Sequence, residues 1–285
     1  MKITQIGKIG GGQDGAIYGE LLFRLDHTGG VRVYDLTALS PEGRSKAVAV
    51  FTLGSSEKLI PHSNAVFFGE ERYSPEDEFP ILYSNVYNNL ASAPDPMPGT
   101  LCAYRILRTE DSFSATLVQL IRVGFCEDAT LWRASEKAHG VRPYGNFVLD
   151  KESGTLYAFV MRDELRGTRY FSFAMPSVHD GEMLPAFGVR GVTLTPEAIR
   201  GMFDMPYYRF IQGAIAHGGY IYSTEGFSRS EPNPPAIRVI DPSAGCETYY
   251  SLPALDIWEE PEMIDFYRGT CYYSDACGNL YTVSF

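Results

Sequence analysis

The stretch "YRFIQGAIAHGGYIYSTEG", residues 208–226, decides the fold. Two apolar runs, Ala214-Ile215-Ala216 and Tyr220-Ile221-Tyr222, flank His217-Gly218-Gly219, and Gln212 stands just ahead of the first. Short β-branched and aromatic runs around a glycine turn read as a β-hairpin. Near the N-terminus "GGGQDGAIYGELLFRL", residues 10–25, repeats the order: Gln13 leads Ala16-Ile17, Gly19 makes the turn, and Leu21-Leu22-Phe23 follows. Each hairpin continues to a matching third segment, "VRVYDL" at 31–36 and "IRVIDP" at 237–242. A fourth segment closes each copy, "KAVAVFTL" at 46–53 and "CETYYSLP" at 246–253. Four consecutive strands make an antiparallel meander, and its recurrence marks a solenoid or a propeller.

The rest of the chain fits the same template. "HSNAVFF" (62–68) leads to "FPILYSNV" (79–86), "TLCAYRIL" (100–107) and "SATLVQLIRV" (114–123). "GNFVL" (145–149) leads to "TLYAFVM" (155–161) and "RYFSFAM" (169–175). The last copy, "EMIDFYRGTCYYSDACGNLYTVSF", holds three strands, and "KITQIGKI" at 2–9 is a spare strand of the right length. Unpaired strand edges are liabilities, so the spare strand is predicted to complete the last blade and close the ring. First-strand anchors at Ala16, Ala65, Asn146, Ala214 and Met263 count five blades. The reading is therefore an all-β, single-domain, five-bladed β-propeller over residues 1–285. A sixth blade near 110–145 and a β-sandwich are the alternatives. Helical excursions are expected at "CEDATLWRASEKAHG" (126–140) and at "TPEAIRGMF" (195–203), where Thr195 suits an N-cap and Pro196 the first helical position.

The Gln-Gly-Ala-Ile run at 212–215, the "IRVIDP" strand and "EPEMIDFYRGTCYY" at 260–273 resemble five-bladed β-propellers. The last is similar to a Glu-Pro-Glu-x-Ile element near the C-terminus of several bacterial propellers. "HSNAVFFGEERYSPEDEFPILY" at 62–83 resembles a blade of uncharacterised bacterial propeller proteins, many from gut anaerobes. The resemblance implies architecture and carries no catalytic residue, because propellers host many unrelated activities.

The net charge of −11 comes with no Lys/Arg cluster. Nucleic acid and anionic membranes both need such clusters, so neither is expected as a partner. The start "MKITQIGKIGGGQDG" has no signal-peptide pattern, and no run nears the roughly 18 apolar residues of a membrane helix. Five cysteines at irregular spacing, without a Cys-x-x-Cys pair, suit a reducing compartment and offer no zinc site. A cytoplasmic protein is expected. The oligomeric state is left open. "IGGGQDG" at 9–15 lacks the Lys-Ser/Thr of a P-loop.

In a propeller the first strand of each blade lines the central channel. Aligned on the template, the starts of those strands hold Gln13 and Asp14, His62 and Asn64, Tyr144 and Asn146, Gln212, and Glu262. Arg142 precedes the third entry. Such a polar ring at a concave mouth is a site for a small polar ligand such as a sugar, or merely a water-filled channel. A scaffold role without a ligand also fits the fold. As a glycoside hydrolase the chain would use Asp14 and Glu262, which need a separation of about 5–5.5 Å for retention or 6.5–9.5 Å for inversion. Asp265 lies three residues past Glu262 and is expected on the opposite strand face. As a calcium-dependent, lactonase-like hydrolase it would coordinate the ion with oxygens of Glu262, Asn64, Asn146 and Gln13. No other cofactor is expected.

Overall fold

The computed structural model describes residues 1–40, 42–59, 62–86, 99–110, 112–125, 146–163, 165, 167–208, 210–228 and 232–285. The first strand, β1 (Lys2–Lys8), belongs to the last sheet. Blade 1 is β2 (Gly15–Tyr18), β3 (Leu21–Leu25), β4 (Gly30–Asp35) and β5 (Ala49–Thr52). Blade 2 is β6 (Val66–Phe68), β7 (Leu82–Val86), β8 (Thr100–Arg108) and β9 (Phe113–Val123). Blade 3 begins with β10 (Asn146–Asp150), β11 (Thr155–Asp163) and β12 (Gly167–Ala174). A hairpin, β13 (Glu182–Leu184) and β14 (Val189–Leu194), intervenes before β15 (Gly201–Met205) completes that blade. Blade 4 is β16 (Ile211–His217), β17 (Tyr220–Glu225), β18 (Ala236–Asp241) and β19 (Cys246–Ser251). Blade 5 is β20 (Pro261–Tyr267), β21 (Thr270–Asp275) and β22 (Asn279–Ser284), with β1 as its outer strand.

Inner strands meet around the hub: β2 packs on β6 and β20, and β16 on β10 and β20. The ring closes as the sequence predicts. Strand β1 pairs antiparallel with β22 from Lys2↔Ser284 to Lys8↔Asn279, and Ile9 N donates to Gly278 O at 2.7 Å. The inner hairpins turn on backbone that only glycine adopts freely, with φ of 59° and 80° at Gly218 and Gly219.

The apolar core lies in the seams between blades. Phe23, Phe51, Phe68, Phe79 and Phe113 form an edge-to-face cluster where blade 1 meets blade 2. Val148, Tyr170, Ile211 and Ala214 join blades 3 and 4, and Ile17, Met263 and Leu280 join blades 1 and 5. Burying one such large side chain contributes roughly 1.5–3 kcal/mol.

Two local expectations give way. Residues 195–203 form one 3-10 turn, Pro196–Ala198, followed by strand β15, and the Thr195 side chain makes no cap bond. Phe203 stacks on Tyr170 with ring centroids 4.7 Å apart, so packing against blade 3 overrides the helical start signal. The β13–β14 hairpin, unmarked in the sequence reading, leaves blade 3 and adds β14 in parallel to β9 of blade 2. A sixth blade is not formed by 113–123, which is β9; residues 126–145, including the expected helical excursion, lie outside the described residues. Among the described residues no helix is long and apolar enough to cross a membrane.

Candidate binding site at the hub

The inner strands start at one end of the hub, and two of them start with a bulge. The register shifts between Ile211 and Gly213 in β16 and between Pro261 and Met263 in β20. A bulge breaks the alternation of the strand and re-aims a side chain, which brings Gln212 and Glu262 toward the mouth. Gln13 Nε2 donates to Glu262 Oε1 at 3.4 Å. Gln212 Nε2 donates to Glu260 Oε1 at 2.6 Å and to Gly226 O at 3.4 Å. Two glutamines, from blades 1 and 4, thus hold two carboxylates of blade 5.

Deeper in the hub the polar side chains lock blades together. Asp14 accepts from Gly15 N on Oδ1 and from Val66 N on Oδ2, both at 2.8 Å, tying blade 1 to blade 2. Asp265 does the same between blades 5 and 1, accepting from Ile17 N at 2.6 Å and Phe266 N at 2.7 Å. It is buried, and at the far end of the hub it lines a cavity with Lys151, Ile215, His217 and Phe266. Asn85 Oδ1 accepts from Asn64 N and Ala65 N at 3.0 Å, and its Nδ2 donates to Asn64 Oδ1 at 2.8 Å and Asn146 Oδ1 at 3.2 Å. Asn64 Nδ2 then donates across the hub to Ile211 O at 2.8 Å, linking two blades that are not neighbours. Gly213 of blade 4 lies close against blades 5 and 1: a Cβ there would stand 2.6 Å from Glu262 O and 3.2 Å from Asp14 Oδ1. Gly213→Ala is expected to lower stability by about 1–3 kcal/mol through overpacking. Urea denaturation checks this, and an unchanged midpoint would mean that the hub yields.

Arg24, on β3, is fully buried. Its Nη2 donates to Gly12 O at 2.9 Å and to Asp275 O at 3.0 Å, while Nε and Nη1 have no partner. Glu262 Oε2, Tyr273 Oη and Asn146 Nδ2 are also buried without a partner. The glycines at 10–12 lie against this part of blade 1. Gly10 N donates to Tyr34 Oη at 2.8 Å, Arg32 Nη1 donates to Gly11 O at 3.2 Å, and a Cβ on Gly12 would come within 3.2 Å of Arg24 Nε.

Burial dominates the electrostatics. It pushes Glu262 up to about 8; Arg24 pulls the other way, and Glu260 and Asp275 add to the rise. Burial raises Asp14 well above the usual carboxylate range, against its two N–H donors and Arg24. Asp275 is raised by burial as well, although Asn279 donates to it from N at 2.9 Å and Nδ2 at 2.7 Å. Burial lowers Arg24, opposed first by Glu262 and then by Asp14 and Asp275.

Of the residues expected at the mouth, Gln13, Gln212 and Glu262 come together, and Asp14, Asn64 and Asn146 sit in the interblade network. His62 lies near the His27 ring, with centroids 6.3 Å apart. Arg142 and Tyr144 fall outside the described residues. The amide oxygens of Asn64 and Asn146, two of the oxygens expected for calcium, each accept a hydrogen bond from Asn85. Among the described residues no group of three or more His, Cys, Asp or Glu could hold a metal ion. Sequence reasoning missed Arg24, Asn85, Glu260, Tyr273 and Asp275. A signal existed for the first: an arginine inside the apolar run "LLFRL" is out of place unless something buried uses it. At the same end of blade 4, Phe210 and Phe227 meet with ring centroids 4.1 Å apart.

No family model matches the chain, and no curated protein matches it. Among solved structures the chain is similar to a glutaminyl cyclase from Myxococcus xanthus. The identity is 13%, the TM-score 0.51, and the match covers 100% of this chain and 96% of that one. It is also similar to a virginiamycin B lyase from Staphylococcus aureus, at 10% identity and TM-score 0.44, over 100% of this chain and 99% of that one. BamB from Moraxella catarrhalis follows at 11% identity and TM-score 0.33, over 95% of this chain and 71% of that one. The likeness is one of fold alone: the chain is a five-bladed β-propeller.

Proposed function

We propose that the protein binds a small polar molecule, with carbohydrate the first class to test, at the Gln13–Gln212–Glu262 end of its hub. The observation that supports this best is the set of buried polar atoms without partners: Arg24 Nε and Nη1, Glu262 Oε2 and Tyr273 Oη. Buried polar groups are nearly always paired. Leaving one unpaired costs about 1–3 kcal/mol, and an occupant with hydroxyl or carbonyl oxygens would satisfy several at once. The Phe210–Phe227 pair adds apolar ring faces of the kind that sugar rings cover.

A thermal-shift screen of sugars tests the reading. Saturation at about 100 times Kd stabilises by about 2.7 kcal/mol, so a true ligand raises Tm by several degrees. Tyr273→Phe removes one of the unpaired groups without opening a cavity, and is expected to weaken the shift while the free protein becomes no less stable. A screen in which no sugar moves Tm counts against the proposal and leaves the ring as a scaffold.

The second reading is glycoside hydrolysis with Glu262 as the acid. Its support is a carboxyl group with one free oxygen and a pKa about 8, near the pH at which general acids work best. Asp14, the other carboxyl of the pair, has each oxygen on a backbone N–H. Aryl-glycoside turnover that Glu262→Gln abolishes would support this reading. Turnover untouched by that change would remove it.

A further inference from the structure

The unpaired groups at the hub differ in residue type, but those of Arg24 and Tyr273 share one property: each is a donor. Arg24 retains its Nε–H and the Nη1 hydrogens, and Tyr273 retains its O–H. Glu262 Oε2 becomes a third donor whenever the buried carboxyl holds its proton. Each neighbouring acceptor already takes at least one hydrogen bond. Gly12 O and Asp275 O take Arg24 Nη2, the Asp275 carboxylate takes Asn279, and the Asp14 carboxylate takes Gly15 N and Val66 N. A hydroxyl brings a donor of its own to such a cluster. A carboxylate brings only acceptors, with about four lone-pair sites, and pairs with arginine through charge-assisted bonds.

We propose that the ligand of this hub carries a carboxylate, held by the unpaired donors of Arg24 and Tyr273 beside Glu262, as a uronic acid or another hydroxy acid would supply. This rests on the binding reading above and adds the charge of the ligand to it. Glu262 is the element that makes the site selective for protonation state. It is faced by Arg24 from β3, Gln13 from the loop before β2, Glu260 ahead of β20, and Tyr273 and Asp275 from β21. Once ionised, Glu262 turns from donor to like charge, and the carboxylate loses its place.

Isothermal titration calorimetry with D-glucuronate, D-glucose and glycolate at pH 7 and pH 9 tests the proposal. Glucuronate should bind at least tenfold more tightly than glucose at pH 7, and its affinity should fall about tenfold by pH 9 as Glu262 ionises. Glu262→Gln keeps an N–H donor in place of the acid proton. Its affinity for glucuronate should be the same at both pH values, while Tyr273→Phe should weaken binding at both. Equal affinity for glucose and glucuronate would overturn the carboxylate and leave sugar binding intact. Binding of glycolate and glucuronate, but not glucose, would uphold the carboxylate and remove the sugar ring as the recognised part. If none of the three binds, both readings fall.

Discussion

Arg238→Met is expected to cost about 3–5 kcal/mol at neutral pH, because it strands the buried Glu225 carboxylate. Arg238 donates from Nη2 to Glu225 Oε1 at 2.6 Å, from Nε to Glu225 Oε2 at 3.2 Å and from Nη1 to Glu247 Oε1 at 2.6 Å. Its guanidinium lies 4.1 Å from the centre of the Tyr208 ring, and Tyr208 Oη donates to Glu247. Glu225 is buried, and burial already raises its pKa against the pull of Arg238. Without the arginine the Glu225 carboxyl rises further in the folded state and stays ordinary in the unfolded one. The folded state then binds protons that the unfolded state has released, so the deficit grows as pH rises. Urea denaturation should show a smaller loss at pH 5 than at pH 7.5. A loss of less than 1 kcal/mol at pH 7.5 would mean that the network contributes little.

The second large effect is a fall in stability with rising pH, and its source is the hub. Glu262 titrates near 8 in the folded protein against an ordinary 4.5, and Asp265 near 6 against 3.8. A raised carboxyl stabilises fully below its unfolded pKa, and that contribution disappears as pH climbs through the folded one. The Asp265 window ends near pH 6 and the Glu262 window near pH 8, so Glu262 adds up to about 1.4 kcal/mol per pH unit to the slope between them, on top of whatever the raised Asp14 contributes. Glu262→Gln should match the wild type below about pH 4.5 and exceed it by a margin that widens as pH rises to about 8. Parallel Tm–pH curves for the two proteins would show that Glu262 is ionised throughout.

The architecture was legible because it repeats. Ala16-Ile17 and Ala214-Ile215, each followed by a glycine turn and an apolar strand, state the same hairpin twice, and the spare strand at 2–9 has one place to go. The last strand of blade 3 and the strand that leaves it for blade 2 were not legible. Val189–Leu194 and Gly201–Met205 lack the regular apolar alternation of a half-buried strand, and they take their form from neighbours distant in sequence.

The site was half legible. Gln13, Gln212 and Glu262 stand at the start of inner strands, and the template finds them. Counting three residues from Glu262 to Asp265 assumes an unbroken pleat. The bulge between Pro261 and Met263 breaks it, so both carboxyls reach the hub, one at each end. Arg24, Asn85 and Tyr273 lie on second strands, where a repeat template expects core, and only their burial without ordinary apolar chemistry reveals them.

The most direct test of the hub is a carbon-13 NMR titration of the glutamate side-chain carboxyls, with the Glu262 signal assigned by its loss in Glu262→Gln. A midpoint near 8 is the predicted result, moving upward when a carboxylate ligand is bound. A midpoint near the ordinary 4.5 would contradict it: Glu262 would then be an ionised partner of Arg24, with no unspent proton to offer a ligand.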